Sequence, residues 1–157
     1  MMKAKDDMNA PQTMEDYGAL LQERGVKPTA MRLLVYRELC KANRPLSLKD
    51  MEERMVTADR STIFRALTLL LGHHLVHGLE DGSGALKYEV CHGRGKCTPE
   101  DRHPHFHCIA CQRTFCLYGT AIPGVALPEG FTMVSANYVI KGVCPDCSAA
   151  SCRTADR

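Results

Sequence analysis

The sequence has no long apolar segment, no export signal and almost no net charge. None of its apolar runs approaches the roughly 18 residues that a membrane-spanning helix needs. Charged residues follow the first methionines with no apolar stretch after them, so we expect no signal peptide, no membrane partner and a cytoplasmic location. Lys and Arg total 20 against 18 Asp and Glu, and residues 1–90 carry 13 of each. Bulk charge therefore does not argue for a nucleic-acid partner, and any such argument depends on where the basic residues lie.

Familiar enzyme motifs are also missing. The chain contains no His-Glu-x-x-His, no Gly-x-Ser-x-Gly and no Walker loop. No histidine is followed two places on by glutamate, as the zinc deaminases require. We therefore expect a protein that is not an enzyme.

What the chain does have is cysteine. Eight of its nine cysteines lie at or beyond Cys91, and an odd number cannot pair completely. In a reducing compartment, cysteines stay as thiols that bind metals or take part in redox chemistry, and they rarely form disulfides. Two C-x-x-C pairs stand 32 residues apart, and together they predict one structural Cys₄ zinc site per chain; the alternative is two disulfides or unrelated surface cysteines. The predicted ligands are Cys108, Cys111, Cys144 and Cys147.

The residue pattern in the first half of the chain predicts helices followed by a β-hairpin. Thr29, Ser47 and Asp59 are candidate N-caps, and Ser47 with Asp50 resembles a capping box. The two short helices around Asp59 predict a helix-turn-helix, and a turn at 81–84 between apolar segments predicts a hairpin. The predicted fold class is α+β, with an N-terminal winged helix-turn-helix domain followed by a small α/β domain that holds the Cys₄ zinc.

In the second domain the pattern predicts strands at 106–110 and 114–118 and a long β-rich segment at 131–143. Prolines leave room for only a short helical turn at 122–127. The predicted organisation is a disordered lead-in at 1–12, a winged-helix domain at 13–90, a hinge at 91–102, a zinc-containing second domain at 103–152 and a tail at 153–157.

The start of the second helix of the helix-turn-helix carries basic and hydroxyl side chains. In such motifs the N-terminal residues of this helix meet base edges, while hydroxyls bind phosphate. A solvated helix face is the competing interpretation, because a lone helix-turn-helix pattern is a weak signal. The candidate DNA-binding residues are Lys27, Thr29, Arg32, Arg60, Ser61, Thr62, Phe64 and Arg65.

A second metal site is suggested by histidines just before the first C-x-x-C. His103 and His105 alternate on an extended segment, so both imidazoles project to one side. With His77 and Cys91 they would form a site that spans the hinge, which is how metal binding could act as a switch. Glu89 and Cys116 are alternative ligands. Mixed thiolate and imidazole ligands suit Zn²⁺ better than Fe²⁺ or Mn²⁺, although His77 could simply face solvent and Cys116 could be a buried strand cysteine.

From about residue 14 to 152 the chain resembles the ferric uptake regulator (Fur) superfamily of metal-sensing, dimeric, winged-helix repressors. The resemblance rests on Lys27-Pro-Thr-Ala-Met-Arg32, on Ser61-Thr-Ile-Phe-Arg65, and on His103-x-His105-x-x-Cys108-x-x-Cys111 with the second C-x-x-C. The chain is most similar to the zinc uptake regulators (Zur), because His77 and Cys91 match metal ligands of that subgroup. The resemblance implies that residues 13–90 bind DNA and that residues 103–152 form a dimerisation domain, so that a homodimer acts on a palindromic operator in double-stranded DNA. It also implies structural zinc and a second, regulatory metal ion, for which we expect Zn²⁺.

The chain departs from the family pattern at several positions. Cys116 stands where relatives place a ligand glutamate, Pro45 where iron and peroxide regulators have a histidine, and Phe64 where many have tyrosine. Arg102 and Pro104 replace ligands of an additional metal site, so a third site is not expected. An iron, peroxide or haem regulator on the same scaffold remains an alternative function, as does a zinc-storage or thiol-redox protein that does not bind DNA.

Overall fold

The computed structural model describes residues 13–91, 103–134 and 136–154, with side chains to residue 150. The expected lead-in at 1–12, nearly all of the expected hinge and the last three residues of the expected tail lie outside the described residues. None of the helices in the described part has the length and apolar character of a membrane span.

Four helices and three strands make up the N-terminal part. In chain order they are α1 (Met14–Glu23), α2 (Ala30–Ala42), β1 (Leu46–Ser47), α3 (Leu48–Arg54), α4 (Arg60–Gly72), β2 (Val76–Glu80) and β3 (Leu86–Val90). The strands form an antiparallel sheet in the order β1-β3-β2. Apolar faces of all four helices close one core over this sheet, including Leu21, Val35, Met51 and Leu67. A helix-turn-helix of α3 and α4 followed by the β2–β3 hairpin is a winged helix, which confirms the prediction.

Local capping chemistry fixes where these helices begin. Ser47 and Asp50 form a reciprocal capping box at α3, and the Asp59 carboxylate accepts the Thr62 N–H at α4. Thr29 occupies the N-cap position of α2, but its hydroxyl makes no capping hydrogen bond. Gly25 follows α1 with φ +75°, a left-handed conformation that glycine adopts without strain.

The second part is a smaller sheet with one helix. Strands β4 (His105–Cys108) and β5 (Thr114–Cys116) pair antiparallel, β6 (Val139–Gly142) pairs parallel to β4, and α5 (Pro145–Thr154) follows. The order is β5-β4-β6. The two expected strands around the first C-x-x-C are confirmed: the first begins one residue earlier and ends two earlier than expected, and the second ends two earlier.

Two expectations for this second part are wrong. The short helical turn at 122–127 is irregular chain, because Pro123 lacks a backbone N–H donor and Pro128 disfavours a helical residue before it. The long β segment at 131–143 is a strand only over Val139–Gly142. Strand β4 offers just four residues for β6 to pair with, so residues 131–134 have no ladder to join.

Candidate metal centres and nucleic-acid interface

The two C-x-x-C turns meet in three dimensions. Cys108 ends β4 and Cys111 follows it in a tight turn, while Cys144 and Cys147 flank the start of α5. All four sulfurs lie within 4.8 Å of one another, and the Cys111 and Cys144 sulfurs are 3.9 Å apart. Tetrahedral zinc with bonds of about 2.3 Å requires sulfurs about 3.8 Å apart. This Cys₄ cluster therefore fits a closed, four-coordinate zinc ion.

Hydrogen bonds favour the thiolate form of two of these cysteines. Backbone N–H groups of Cys111 and Cys144 lower the pKa of the Cys108 thiol to about 6. The Arg113 guanidinium, whose Nε is 3.3 Å from the Cys111 sulfur, lowers the pKa of that thiol. A hydrogen bond to Cys144 and burial raise the pKa of Cys147 to about 12. Because a metal binds thiolates, two of the four ligands are prepared for it.

A second cluster joins the wing to the smaller sheet. Glu89 of β3 is buried, and ligand atoms of Glu89, His103, His105 and Cys116 lie within 4.8 Å of one another. His103 Nε2 donates to Glu89 Oε1 at 2.9 Å, and His105 Nε2 donates to Oε2 at 2.9 Å. The Cys116 thiol also donates to Oε1. We call this group the Glu89 cluster.

Sheet register explains why these side chains converge. His105 and Cys116 are directly paired on β4 and β5, so both side chains project from one face of that sheet. Glu89 projects from β3 toward them. One carboxylate, two imidazoles and one thiol are thus brought together from positions up to 27 residues apart in sequence.

The hydrogen bonds determine the charge of this cluster. Burial alone raises the pKa of Glu89, but donation from His103, His105, His77 and Cys116 outweighs burial and holds this pKa far below its usual range. Burial raises the pKa of the Cys116 thiol most, and the negative charge of Glu89 raises it further. Glu89 is therefore an anion at neutral pH. A divalent cation would compensate that charge and favour the Cys116 thiolate.

His77 and Cys91, two of the predicted regulatory ligands, lie beside this compact set. His77 is directly paired with Glu89 across the hairpin, and its Nε2 donates to Glu89 Oε2 at 2.7 Å. Its Nδ1 lies 3.3 Å from the Cys91 sulfur. The structure thus places the expected ligands His103 and His105 together with the two alternatives, Glu89 and Cys116, and places His77 between Glu89 and Cys91.

The candidate DNA-reading face is the outer side of α4. Ile63 and Leu67 bury the inner side, whereas Phe64 and Arg65 are exposed. The Ser61 and Thr62 hydroxyls both donate to the Asp59 carboxylate. These hydrogen bonds lower the pKa of Asp59, so the carboxylate stays ionised beside the start of the helix.

The remaining candidate DNA contacts flank this face. Arg60 forms an ion pair with Glu52 of α3. Lys27 and Thr29 are exposed before α2, and the Arg32 guanidinium donates to the Lys27 carbonyl at 2.9 Å. The hydroxyl of Thr29, which is not used for capping, is available to a phosphate oxygen.

Sequence reasoning missed a buried polar group next to the Glu89 cluster. Asp81, Lys87, His107 and Thr114 contact one another between the two sheets. The sequence spacing could have indicated this group. Three of its members lie two residues from a member of the Glu89 cluster, and therefore on the same side of their strands: Lys87, His107 and Thr114.

A winged helix followed by a small sheet that carries two metal-ligand clusters defines the class of metal-responsive DNA-binding regulators. The model of the Ferric uptake regulator family matches residues 23–125. The chain belongs to this family. It has the family's two parts, an N-terminal DNA-binding domain and a C-terminal dimerisation domain.

Solved structures of the family share this fold. The ferric uptake regulator from Francisella tularensis with iron is 19% identical, with a TM-score of 0.57 over 79% of this chain and 96% of that chain. A zinc uptake regulator complexed with zinc and DNA is 21% identical, with a TM-score of 0.57 over 88% and 95%. The Helicobacter pylori ferric uptake regulator, reported with three functional metal binding sites, is 17% identical, with a TM-score of 0.56 over 87% and 95%. A comparison with curated proteins gives no match.

Proposed function

We propose that this protein is a zinc-responsive transcriptional repressor of metal uptake genes that acts as a homodimer on a palindromic operator in the cytoplasm. The observation that carries the proposal is the Glu89 cluster, which takes one ligand from the wing and three from the dimerisation domain. In this proposal the DNA-binding domain spans 13–90, the hinge 91–102 and the dimerisation domain 103–152.

The choice of zinc rests on ligand chemistry. Cys116 supplies a soft thiolate beside two imidazoles, a donor set that favours Zn²⁺ over the harder Mn²⁺ and Fe²⁺. Within the proposal, His103, His105, Cys116 and Glu89 are the inner ligands, and His77 and Cys91 extend the site toward the wing. Zinc also fits the Cys₄ cluster, where we propose that it is structural, with one ion per chain.

The position of the ligands supports a switch. Glu89 lies in β3, which is the second strand of the wing hairpin, and His105 and Cys116 lie in β4 and β5. Drawing these side chains to a common point fixes the wing relative to the dimerisation domain. A preference of about 1–3 kcal/mol for the DNA-competent arrangement would change DNA affinity by roughly 5–150-fold.

The homodimer is supported by exposed apolar side chains in the second domain. Phe131, Met133 and Val134 in the irregular segment and Ile140 in the edge strand β6 are each at least half exposed. Apolar groups concentrated in this way mark protein–protein contact surfaces. In a twofold dimer the two α4 helices would be held at a fixed separation, as half-sites of a palindrome require.

A DNA-binding titration tests the proposal. Protein that holds zinc only at the Cys₄ cluster is titrated onto AT-rich palindromic fragments, alone and with added Zn²⁺, Fe²⁺ or Mn²⁺. We expect Zn²⁺ to switch binding on at the lowest free concentration. A response confined to Fe²⁺ or Mn²⁺ would contradict the choice of metal, and no response to any metal would favour zinc storage or thiol-redox chemistry.

A substitution on α4 separates regulation from storage. Arg65→Ala removes an exposed cation from the candidate reading face, and we expect it to weaken operator binding by about 1–3 kcal/mol while both metal sites keep their occupancy. Lys41→Ala, which removes an exposed cation near the end of α2, is the matched control. Equal DNA affinity in the two variants would contradict the assignment of α4 as the reading helix.

A further inference from the structure

Asp81, Lys87, His107 and Thr114 form a buried polar group, the Asp81 cluster, between the wing and the dimerisation domain. Lys87 Nζ lies 2.6 Å from Asp81 Oδ2, and both side chains are almost fully buried. The same ammonium group donates to Thr114 Oγ1 at 2.9 Å and to the Gln112 carbonyl at 3.0 Å. A lysine buried in this way is stable only when its charge and its donors are matched, as they are here.

The cluster contains two residues from each domain, and contacts between them join the domains. Asp81 begins the turn of the wing hairpin and Lys87 lies on β3, whereas His107 and Thr114 lie on β4 and β5. The Thr114 hydroxyl donates to Asp81 Oδ2, and His107 Nδ1 lies 3.1 Å from that hydroxyl and 3.3 Å from Asp81 Oδ2. The contact joins the two domains through protein atoms alone.

The wing turn is built to approach the second domain closely. The Asp81 carboxylate also accepts the backbone N–H of Ser83 at 3.0 Å, which closes the turn. Gly82 has φ +80°, and a Cβ there would lie 2.5 Å from Lys141 Nζ of β6. The turn therefore touches all three strands of the second sheet through Asp81 and Gly82.

The Asp81 cluster and the Glu89 cluster share the same three strands. On each strand, one residue of each cluster projects from the same side, because the two residues are two positions apart. The pairs are Lys87 and Glu89 on β3, His107 and His105 on β4, and Thr114 and Cys116 on β5. His107 is directly paired with Thr114, as His105 is with Cys116. A displacement of β3 at the first cluster is consequently transmitted to Glu89 two residues away.

We propose that Asp81, Lys87 and Thr114 are positioning residues for the regulatory metal site. They hold β3 against β4 and β5, so that Glu89 faces His103, His105 and Cys116. This inference rests on the proposed role of the Glu89 cluster. It adds that contacts between side chains that bind no metal help to set the geometry of the site.

The test uses full-length protein whose Cys₄ cluster holds zinc. Thr114→Val replaces the hydroxyl by a methyl group of similar size, and Lys87→Met removes the ammonium group at similar length. Thr120→Val, at an exposed position after β5, is the matched control. Zn²⁺ affinity is measured by competition with a chelating indicator, and Co²⁺ spectra in the visible range report the ligand geometry at the site that contains Cys116.

We expect Thr114→Val to weaken Zn²⁺ binding about tenfold, a loss typical of groups that orient metal ligands. We expect Lys87→Met to weaken it further, and both variants to lower the intensity of the tetrahedral Co²⁺ bands, while Thr120→Val matches the wild type. A loss of general stability would not change the Co²⁺ spectrum of the folded protein.

Two results would be decisive against the inference. If the wild type and Thr114→Val bind Zn²⁺ with the same affinity and give the same Co²⁺ spectrum, the positioning role is wrong while the regulatory site stands. If the wild type takes up no second metal ion, the proposed regulatory site itself is wrong, and the inference fails with it. If Lys87→Met folds poorly, Thr114→Val alone carries the test. Amide hydrogen exchange on β3 and β4 should then be faster in Thr114→Val than in the wild type.

Discussion

The Cys₄ cluster and the Glu89 cluster use similar chemistry in different structural settings. All four ligands of the first belong to the second domain, where two tight turns supply two sulfurs each. The Glu89 cluster draws its ligands from both domains and contains one carboxylate, two imidazoles and one thiol. In the proposed function, a metal bound to the first would stabilise one domain, whereas a metal bound to the second would connect two domains.

The electrostatics of the two clusters also differ. In the Cys₄ cluster, backbone N–H groups and Arg113 stabilise thiolates. In the Glu89 cluster, the carboxylate accepts hydrogen bonds from the side chains around it. In the proposed sensor these hydrogen bonds would compensate the carboxylate when the ion leaves, so that the protein stays folded.

The largest expected effect comes from breaking the Cys₄ cluster. Cys144→Ser should abolish zinc binding there and unfold the second domain, because structural zinc sites contribute on the order of 10 kcal/mol to folding in small domains. Zinc stoichiometry and thermal unfolding by circular dichroism measure the outcome. Cys40→Ala, outside both clusters, should keep the zinc. A Cys144→Ser protein with native thermal stability would show that the cluster is not structural.

Breaking the Glu89 cluster should have a smaller effect on folding and a large one on sensing. Glu89→Gln keeps the shape of the side chain but removes its charge. We expect the regulatory zinc affinity to fall by more than the ~10–100-fold loss typical of outer partners, and metal-dependent DNA binding to be lost while the structural zinc remains. Glu80→Gln, exposed on the same hairpin, is the control. Metal-dependent DNA binding that survives in Glu89→Gln would contradict our assignment.

The contrast also explains what the sequence could predict. The Cys₄ cluster was predictable because each C-x-x-C turn is a local unit whose spacing matches a metal. The N-caps at Ser47 and Asp59 were predictable for the same reason, since the capping hydrogen bonds span three residues. Glu89 and Cys116 were only alternatives, because their approach depends on how one sheet packs on another.

Other parts of the fold were hidden from local reasoning. Lys87 and Asp81 are charged residues of a hairpin, and no local pattern indicates that they are buried against β4 and β5. The apolar pattern at 131–143 favoured a long strand, but strand length was limited by the short partner β4. Tertiary context decided these features, which is why the functional boundary between the domains was the least predictable region.

Exchanging one ligand should sharpen the comparison between the two clusters. Cys116→Asp replaces the soft thiolate of the Glu89 cluster by a hard carboxylate. We expect zinc affinity to fall and the preference to move toward Mn²⁺ and Fe²⁺. Competition titrations with the three metals measure the change in their ratio, and Cys40→Ala provides a thiol-loss control outside the site. An unchanged ratio would mean that Cys116 does not bind the regulatory metal.

The smallest expected effect concerns the surroundings of the Cys₄ cluster. Arg113 donates to the Cys111 sulfur and pairs with Asp146 at 3.1 Å, where both side chains are exposed to solvent. Arg113→Met should leave zinc bound, because an exposed ion pair contributes at most about 1 kcal/mol. Removal of zinc by a chelator should nevertheless become roughly tenfold faster, since the Cys111 thiolate loses a donor that stabilises it. Lys41→Met, which breaks an exposed pair with Glu38, should leave that rate unchanged. Equal rates of zinc removal in the two variants would show that the four sulfurs hold the ion without help from neighbouring side chains. The Cys₄ cluster would then differ from the Glu89 cluster, whose ligands are proposed to depend on the Asp81 cluster.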